Sequence, residues 1–585
     1  MLNPLVECLL DQAYEHLKAA DHVIAGQLVG QALEIDPENL RALSLGAKTA
    51  ANVGQKDLAL ELIDRALKLR PDSTEVMFDA AFIFIRYGQP HRARQLWERL
   101  TEKLPNSVEI LWNLATYHLT QDDAGTAELY FRKVMELAPQ RPGLHLNLGN
   151  MVKNSGRIAE AIALYREGVR LFPQDMRQFS NYLLALQYDS AYGPEQIYAE
   201  HAAWGRALEA AVLGGNRHSN DRSPNRRLRI GYVSPNFCNH VVGRNLQPLF
   251  QQHDHSKFRI FCYSDTPNPD EATAALRRGA DVWRDTAFLP DAELAAQVSR
   301  DRIDVLVDLA LHTERGRLGM FARKPAPIQV TWMAYPGTSG LTRMDYRFTD
   351  PVLDPPGATD CFYTEQSIRL ETFWCFEPPA NSPVIGPLPA EKNGHITFGC
   401  LNNFFKVNEA LLELWREILA AVPDSRLVLM PPKGMIVERV RKKLGVEPAR
   451  LIGLPRQPLL QYLKAYNRID LSLDTFPYTG HSTTLDGLWM GVPIITLAGP
   501  TVVSRGSLSI LSNLGLRELA VKNKTDYVAL AVALAQDHVR LRELRAGLRG
   551  RLKRSVLMDA KRFALQAESA YLAMWRKWCE TAPAS

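Results

Sequence analysis

The first third of the chain repeats its apolar pattern with a period of 34 residues. Small residues fall in two phased series: Ala25, Ala59, Ala93, Ala127 and Ala161, then Ala13, Ala47, Ala81, Ala115 and Gly149. A third series, Pro37, Pro71, Pro105, Pro139 and Pro173, keeps the same step. Proline cannot continue a preceding helix, and alanine or glycine lets paired helices approach closely. Each unit therefore predicts a helix pair closed by a proline, burying its apolar face only against its neighbours. This makes 1–205 an all-α superhelical array. A polar, basic stretch, NRHSNDRSPNRR, follows Gly214-Gly215 and reads as a linker, 206–227.

Beyond the linker the pattern changes to short continuous apolar runs separated by helical segments. LRIGYV (228–233), FRIFCYS (258–264), IDVLVDLA (303–310) and IQVTW (328–332) come before a Pro-rich break. ITFGCL (396–401), RLVLMP (426–431), IDLSLD (469–474) and VPIITLAG (492–499) come after it. Such strands belong to parallel sheets buried on both faces. The expectation is two doubly wound α/β lobes, 228–380 and 395–575, joined by a Pro-rich linker at 381–394. Their cleft should lie at the carboxyl ends of the strands. The repeats resemble tetratricopeptide units, and the two facing lobes resemble the GT-B architecture of nucleotide-sugar transferases.

Composition narrows the classes. A net charge of +5 over 585 residues is weak, so nucleic acid is not expected as a partner. No apolar run reaches the roughly 18 residues of a membrane span, and the N-terminus lacks the features of a signal peptide. Seven cysteines without a CxxC pair suit a reducing, cytoplasmic setting. The repeat array implies a polypeptide partner. Asn113, Asn147 and Asn181 also step by 34, and a row of amides, each both donor and acceptor, is suited to gripping an extended peptide backbone.

The chemistry concentrates in DTFPYTGHSTTLDGLWMGVPIITLAG (474–499). A strand ends at Asp474, a loop carries Gly480, and His481-Ser482-Thr483-Thr484 opens a helix. Unsatisfied N–H groups, the positive dipole end and first-turn hydroxyls suit a pyrophosphate. One Ser or Thr there would be an ordinary N-cap; four polar residues after a glycine favour the anion site. Asp486, one turn on, is placed to accept hydrogen bonds from a ribose.

Residues 228–575 resemble the catalytic region of the protein O-GlcNAc transferase family, glycosyltransferase family 41, in its bacterial form with N-terminal tetratricopeptide repeats. The resemblance rests on IGYVSPNFCNHVVGRNL, RKPAPIQVTWMAYPGTSG, LNNFFKVN, LDTFPYTGHSTTLDGLWMGVP and VVSRGSLSILSNLGL. It implies that His240 is the active-site histidine, Lys406 contacts the donor diphosphate, and Asn403 lies near the same phosphates. It further implies that His481, Ser482 and Thr483 bind pyrophosphate and Asp486 binds ribose. Tyr462 and Ala465 replace the histidine and arginine that face uracil in animal enzymes, leaving backbone groups near Arg456 to read the base.

The resemblance thus implies an inverting transferase that moves N-acetylglucosamine from UDP-GlcNAc to Ser or Thr hydroxyls of proteins. No cofactor is expected, and neither metal-ligand spacing nor a DxD signature points to a metal. The proton acceptor is either His240 or the donor's own phosphate. Within the family, GDP-fucose-dependent O-fucosyl transfer and cytoplasmic N-glucosyl transfer are the alternatives. A non-catalytic repeat scaffold is the alternative outside enzymology.

Overall fold

The computed structural model describes residues 3–121, 123–212, 218–432 and 436–581. Two compact units make up the chain, Met1–Leu144 and His145–Ser585.

The first unit holds four helix pairs: α1 (Pro4–Lys18) with α2 (His22–Ile35), α3 (Leu40–Asn52) with α4 (Lys56–Leu69), α5 (Thr74–Arg86) with α6 (Pro90–Lys103), and α7 (Val108–Thr120) with α8 (Ala124–Leu137). The phased alanines have no solvent exposure, Ala13, Ala25, Ala47, Ala59, Ala81, Ala93, Ala115 and Ala127 alike, because they stand where helices cross. Pro37, Pro71, Pro105 and Pro139 lie in the turns that end each pair. Asn39 and Ser73 cap the next helices through side-chain oxygens that accept backbone N–H groups.

The repeat pattern continues into the second unit as α9 (Leu144–Asn154), α10 (Ile158–Leu171), α11 (Met176–Leu186) and α12 (Pro194–Ala211). Glycine replaces alanine at 149 because a Cβ there would lie 2.6 Å from the Tyr165 ring. Helix α12 runs through the start of the expected linker, while Gly214-Gly215 lie outside the described residues. It packs directly on loop 336–341, where a Cβ at Gly205 would meet the Gly340 carbonyl oxygen at 1.8 Å. Around that contact, Tyr335 bonds His201 (2.6 Å) and Gln187 (3.1 Å), and Glu209 accepts from Thr342 and Arg343.

Among the described residues the first lobe is a seven-stranded parallel sheet: β1 (Leu228–Ser234), β2 (Phe258–Ser264), β3 (Val282–Asp285), β4 (Val305–Asp308), β5 (Ile328–Thr331), β6 (Tyr346–Thr349) and β7 (Gln366–Arg369). The second has six: β8 (Thr397–Cys400), β9 (Arg426–Leu429), β10 (Leu451–Gly453), β11 (Leu471–Leu473), β12 (Ile494–Leu497) and β13 (Ala520–Val521). All eight apolar runs form strands. The strands that the apolar pattern misses are short, and four of them, β3, β7, β10 and β13, are sheet edges. Strand orders are β3-β2-β1-β4-β5-β6-β7 and β10-β9-β8-β11-β12-β13, so direction reverses between β1 and β4 and between β8 and β11. Ligands of doubly wound sheets bind at such switch points.

One boundary differs from the sequence reading. The segment 560–575, assigned to the second lobe, belongs to the last helix, Ala560–Glu580, which packs on the first sheet. Tyr571 bonds Tyr232 of β1 at 3.2 Å, and Glu568 accepts from His253 at 2.9 Å. Among the described residues, no helix is long and apolar enough to cross a membrane.

Candidate active site

Both switch points open on one cavity of about 770 Å³, within the usual range of ligand pockets, roughly 300–1,000 Å³. Loops after β1 and β4 line it from the first lobe, and loops after β8 and β11 from the second. His240, Asn403, Lys406, Arg456, Tyr462, His481, Ser482, Thr483 and Asp486 all reach its wall. The asparagines do not. Asn113 is on α7 in the first unit, with Asn147 on α9 and Asn181 on α11 in the second. The Asn181 amide is already engaged, donating to the Arg177 carbonyl at 2.9 Å and accepting from Lys153 at 3.3 Å.

The end expected to hold the pyrophosphate is built by Asp474, which follows β11. One carboxylate oxygen accepts from the backbone N–H of Thr475 (2.8 Å) and Gly480 (2.6 Å), and the other from Thr496 (2.7 Å). These bonds fold the loop so that α13 (Ser482–Trp489) begins at the cavity. His481 precedes it without a capping bond, so the first-turn N–H groups keep their donors. The Thr483 hydroxyl is turned back on Asn402, which leaves Ser482 as the first-turn hydroxyl without such a contact. Thr484 is buried against Ser507 at 2.8 Å.

Lys406 ends a 3-10 turn after β8. Its ammonium donates to the Thr479 carbonyl at 2.9 Å and lies 4.0 Å from the Tyr478 ring centroid. Burial pulls its pKa down to about 8, against the opposing pull of Asp474 and Cys400. Burial, helped by Lys406, pushes His481 down to about 3, so this imidazole is neutral. It sits between Trp374 and Tyr478, its buried Nε2 without a partner.

His240 caps the helix Val241–Gln252, which follows β1. Its Nδ1 accepts the Val242 N–H at 3.2 Å. An accepting Nδ1 leaves the ring proton on Nε2. Burial lowers its pKa, with Arg244 and Arg456 adding to the shift.

Asp486 is only 4% exposed. Its two oxygens accept from one terminal nitrogen of Arg244 at 3.0 and 3.3 Å, across the lobes. Burial raises its pKa and Arg244 opposes that. At the end expected to read the base, the Tyr462 hydroxyl bonds Tyr466 at 2.9 Å, and Tyr466 donates to the Thr483 carbonyl at 3.0 Å.

Sequence reasoning missed several wall residues. Arg244 stands one helical turn after His240, and that i,i+4 spacing is a readable signal. Leu184 and Tyr188, from and after α11, reach the cavity from the repeat side. Tyr188 packs against Phe405 and Tyr478, with ring centroids 5.0 and 5.1 Å away. Thr313 and Glu314 follow β4, and Met333 follows β5 with φ +82°, an uncommon conformation for a non-glycine residue.

Two parallel-sheet lobes with facing switch points, preceded by tetratricopeptide-like helix pairs, define a GT-B glycosyltransferase fold. The sequence profile of glycosyl transferase family 41 matches residues 207–375 and 388–567, and the chain belongs to that family. A solved mutant of the Thermobaculum terrenum O-GlcNAc transferase is 35% identical, with a TM-score of 0.79, covering 87% of this chain and 98% of that one. A rice protein named probable UDP-N-acetylglucosamine–peptide N-acetylglucosaminyltransferase SPINDLY is 37% identical over 433 residues, 72% of this chain and 46% of the rice protein. The Arabidopsis thaliana protein of the same enzyme name, SEC, is 31% identical over 372 residues, 60% of this chain and 38% of its own length. The chain thus spans about half the length or less of these curated relatives.

Proposed function

We propose that this protein transfers N-acetylglucosamine from UDP-GlcNAc to serine and threonine hydroxyls of polypeptides, with inversion and without a metal ion. The observation that carries the reading is the single cavity on which both switch points converge. Lys406 and the N-terminus of α13 stand in its wall, and the repeat-side residues Leu184 and Tyr188 reach the same wall, Tyr188 against the Tyr478 ring that neighbours Lys406. A nucleotide sugar and an acceptor segment would meet there. The names of the relatives support the sugar and the acceptor class.

In this reading, in-line attack by the acceptor hydroxyl expels the nucleoside diphosphate. Lys406, the first-turn N–H groups and Ser482 stabilise the departing charge. A group aimed at developing charge contributes about 3–4 kcal/mol. Among the described residues no three His, Cys, Asp or Glu side chains are grouped to hold a metal, so the reading gives the cationic work to protein groups. The bond from Val242 to Nδ1 leaves His240 with an Nε2–H donor. That favours His240 as the group that holds sugar or acceptor, and the donor's phosphate as proton acceptor.

A second reading, fucosyl transfer from GDP-fucose, draws on the base end. The Tyr462 hydroxyl is engaged by Tyr466, and Ala465 has no polar side chain to offer uracil. Donor hydrolysis measured with UDP-GlcNAc, UDP-glucose and GDP-fucose separates the readings. Turnover of UDP-GlcNAc above the other two supports the first, and preference for GDP-fucose replaces it with the second.

A further inference from the structure

We propose that Arg244 is a donor-binding residue that exchanges partners: in this structure it clasps Asp486 across the cleft, and on donor binding it yields that carboxylate to the ribose and turns on the diphosphate. The inference rests on the nucleotide-sugar reading of the cavity and adds a residue of the first lobe to it.

The two ends of the ion pair belong to different lobes and to helices at the two switch points. Arg244 bonds Asp486 through one terminal nitrogen only, while its Nε is buried and has no partner. A buried guanidinium donor left unmade is costly, and it belongs to a side chain that lines the cavity. Arg244 also follows His240 by one turn, so both residues lie on the cleft-facing side of their helix.

Asp486 needs a partner because it is buried, and ribose hydroxyls are donors of the right kind to replace Arg244. The fork of an arginine, in turn, matches two phosphate oxygens. The second lobe contributes Lys406, Arg456 and a helix N-terminus worth about half a charge to the cavity wall, and Arg244 adds a cation from the facing lobe. Binding would then draw the lobes onto the ligand from both sides.

The exchange makes a crossed prediction that a purely structural clasp does not. In Arg244→Ala the UDP dissociation constant should rise about 10- to 100-fold. Uridine, which takes only the ribose end, should bind as well as or better than to wild type, since no ion pair has to part. Arg244→Lys should recover part of the UDP affinity, and the donor KM should move more than kcat. Calorimetric titration with UDP and uridine, alongside melting curves, provides the test. Equal weakening of both ligands, or unchanged UDP affinity in a folded variant, overturns the exchange. If Arg244→Ala does not fold, Arg244→Gln answers the same question. Wild type that binds neither UDP nor GDP would instead overturn the nucleotide reading itself.

Discussion

The proposed place of Lys406 beside the donor diphosphate predicts that nucleotide binding is proton-linked. Its ammonium faces a carbonyl and an aromatic ring rather than a paired carboxylate, and burial leaves its pKa at about 8 instead of 10.5. A diphosphate beside it supplies the missing opposite charge and restores at least the ordinary value. The proton uptake on binding is then about 0.1 at pH 7, about 0.5 at pH 8 and about 0.9 at pH 9. The ligand's own phosphate is fully ionised above pH 8, and His240 and His481 titrate lower. Titrating UDP at pH 9 in buffers of different ionisation enthalpy measures the uptake directly. Lys406→Met should abolish it and weaken binding. The same variant removes a charge that folding desolvates. The folded pKa lies below the unfolded one, so this group makes stability rise with pH between about 8 and 10.5, and Lys406→Met should melt no lower than wild type at pH 7. Absence of uptake at pH 9, or uptake that survives Lys406→Met, refutes the reasoning.

Three further outcomes follow from the geometry. His240→Gln keeps an N–H donor but offers no base, so it should hold kcat within about tenfold of wild type while His240→Ala loses about a hundredfold; equal loss in both would restore the histidine as base. Gly205→Ala places a methyl 1.8 Å from the Gly340 carbonyl and should cost about 3 kcal/mol or more, seen as a lowered melting temperature; an unchanged one would show that α12 yields at this contact. The combined Asn113→Ala, Asn147→Ala and Asn181→Ala change should reduce transfer to polypeptides while sparing donor hydrolysis, with Asn181 contributing least because its amide is engaged; equal losses in both assays would mean general destabilisation.

The parts legible in the sequence are those set by local periodicity. A 34-residue step in alanine and proline leaves one arrangement of helix pairs, and continuous apolar runs mark central parallel strands. The helix start at Ser482 is legible for the same reason, since a strand, a glycine and a polar helix start are neighbours along the chain. What stayed hidden depends on residues far apart. Arg244 and Asp486 are separated by 242 positions, and nothing local marks them as partners. The return of the last helix to β1 is fixed by Tyr571 and Glu568 meeting Tyr232 and His253, again a long-range match. Tyr188 reads as one more repeat aromatic until Phe405 and Tyr478 are placed beside it. Asn181 keeps the phase of its row, yet Lys153, 28 positions away on α9, engages it.

The most direct test of the account is transfer itself. Incubating the protein with UDP-GlcNAc, a library of Ser- and Thr-containing peptides and EDTA, then reading peptide masses, asks for sugar, acceptor and metal independence at once. The account predicts N-acetylhexosamine added to Ser or Thr hydroxyls by wild type and lost in Lys406→Met. Peptides modified only with GDP-fucose, or only when a divalent metal is restored, would contradict it.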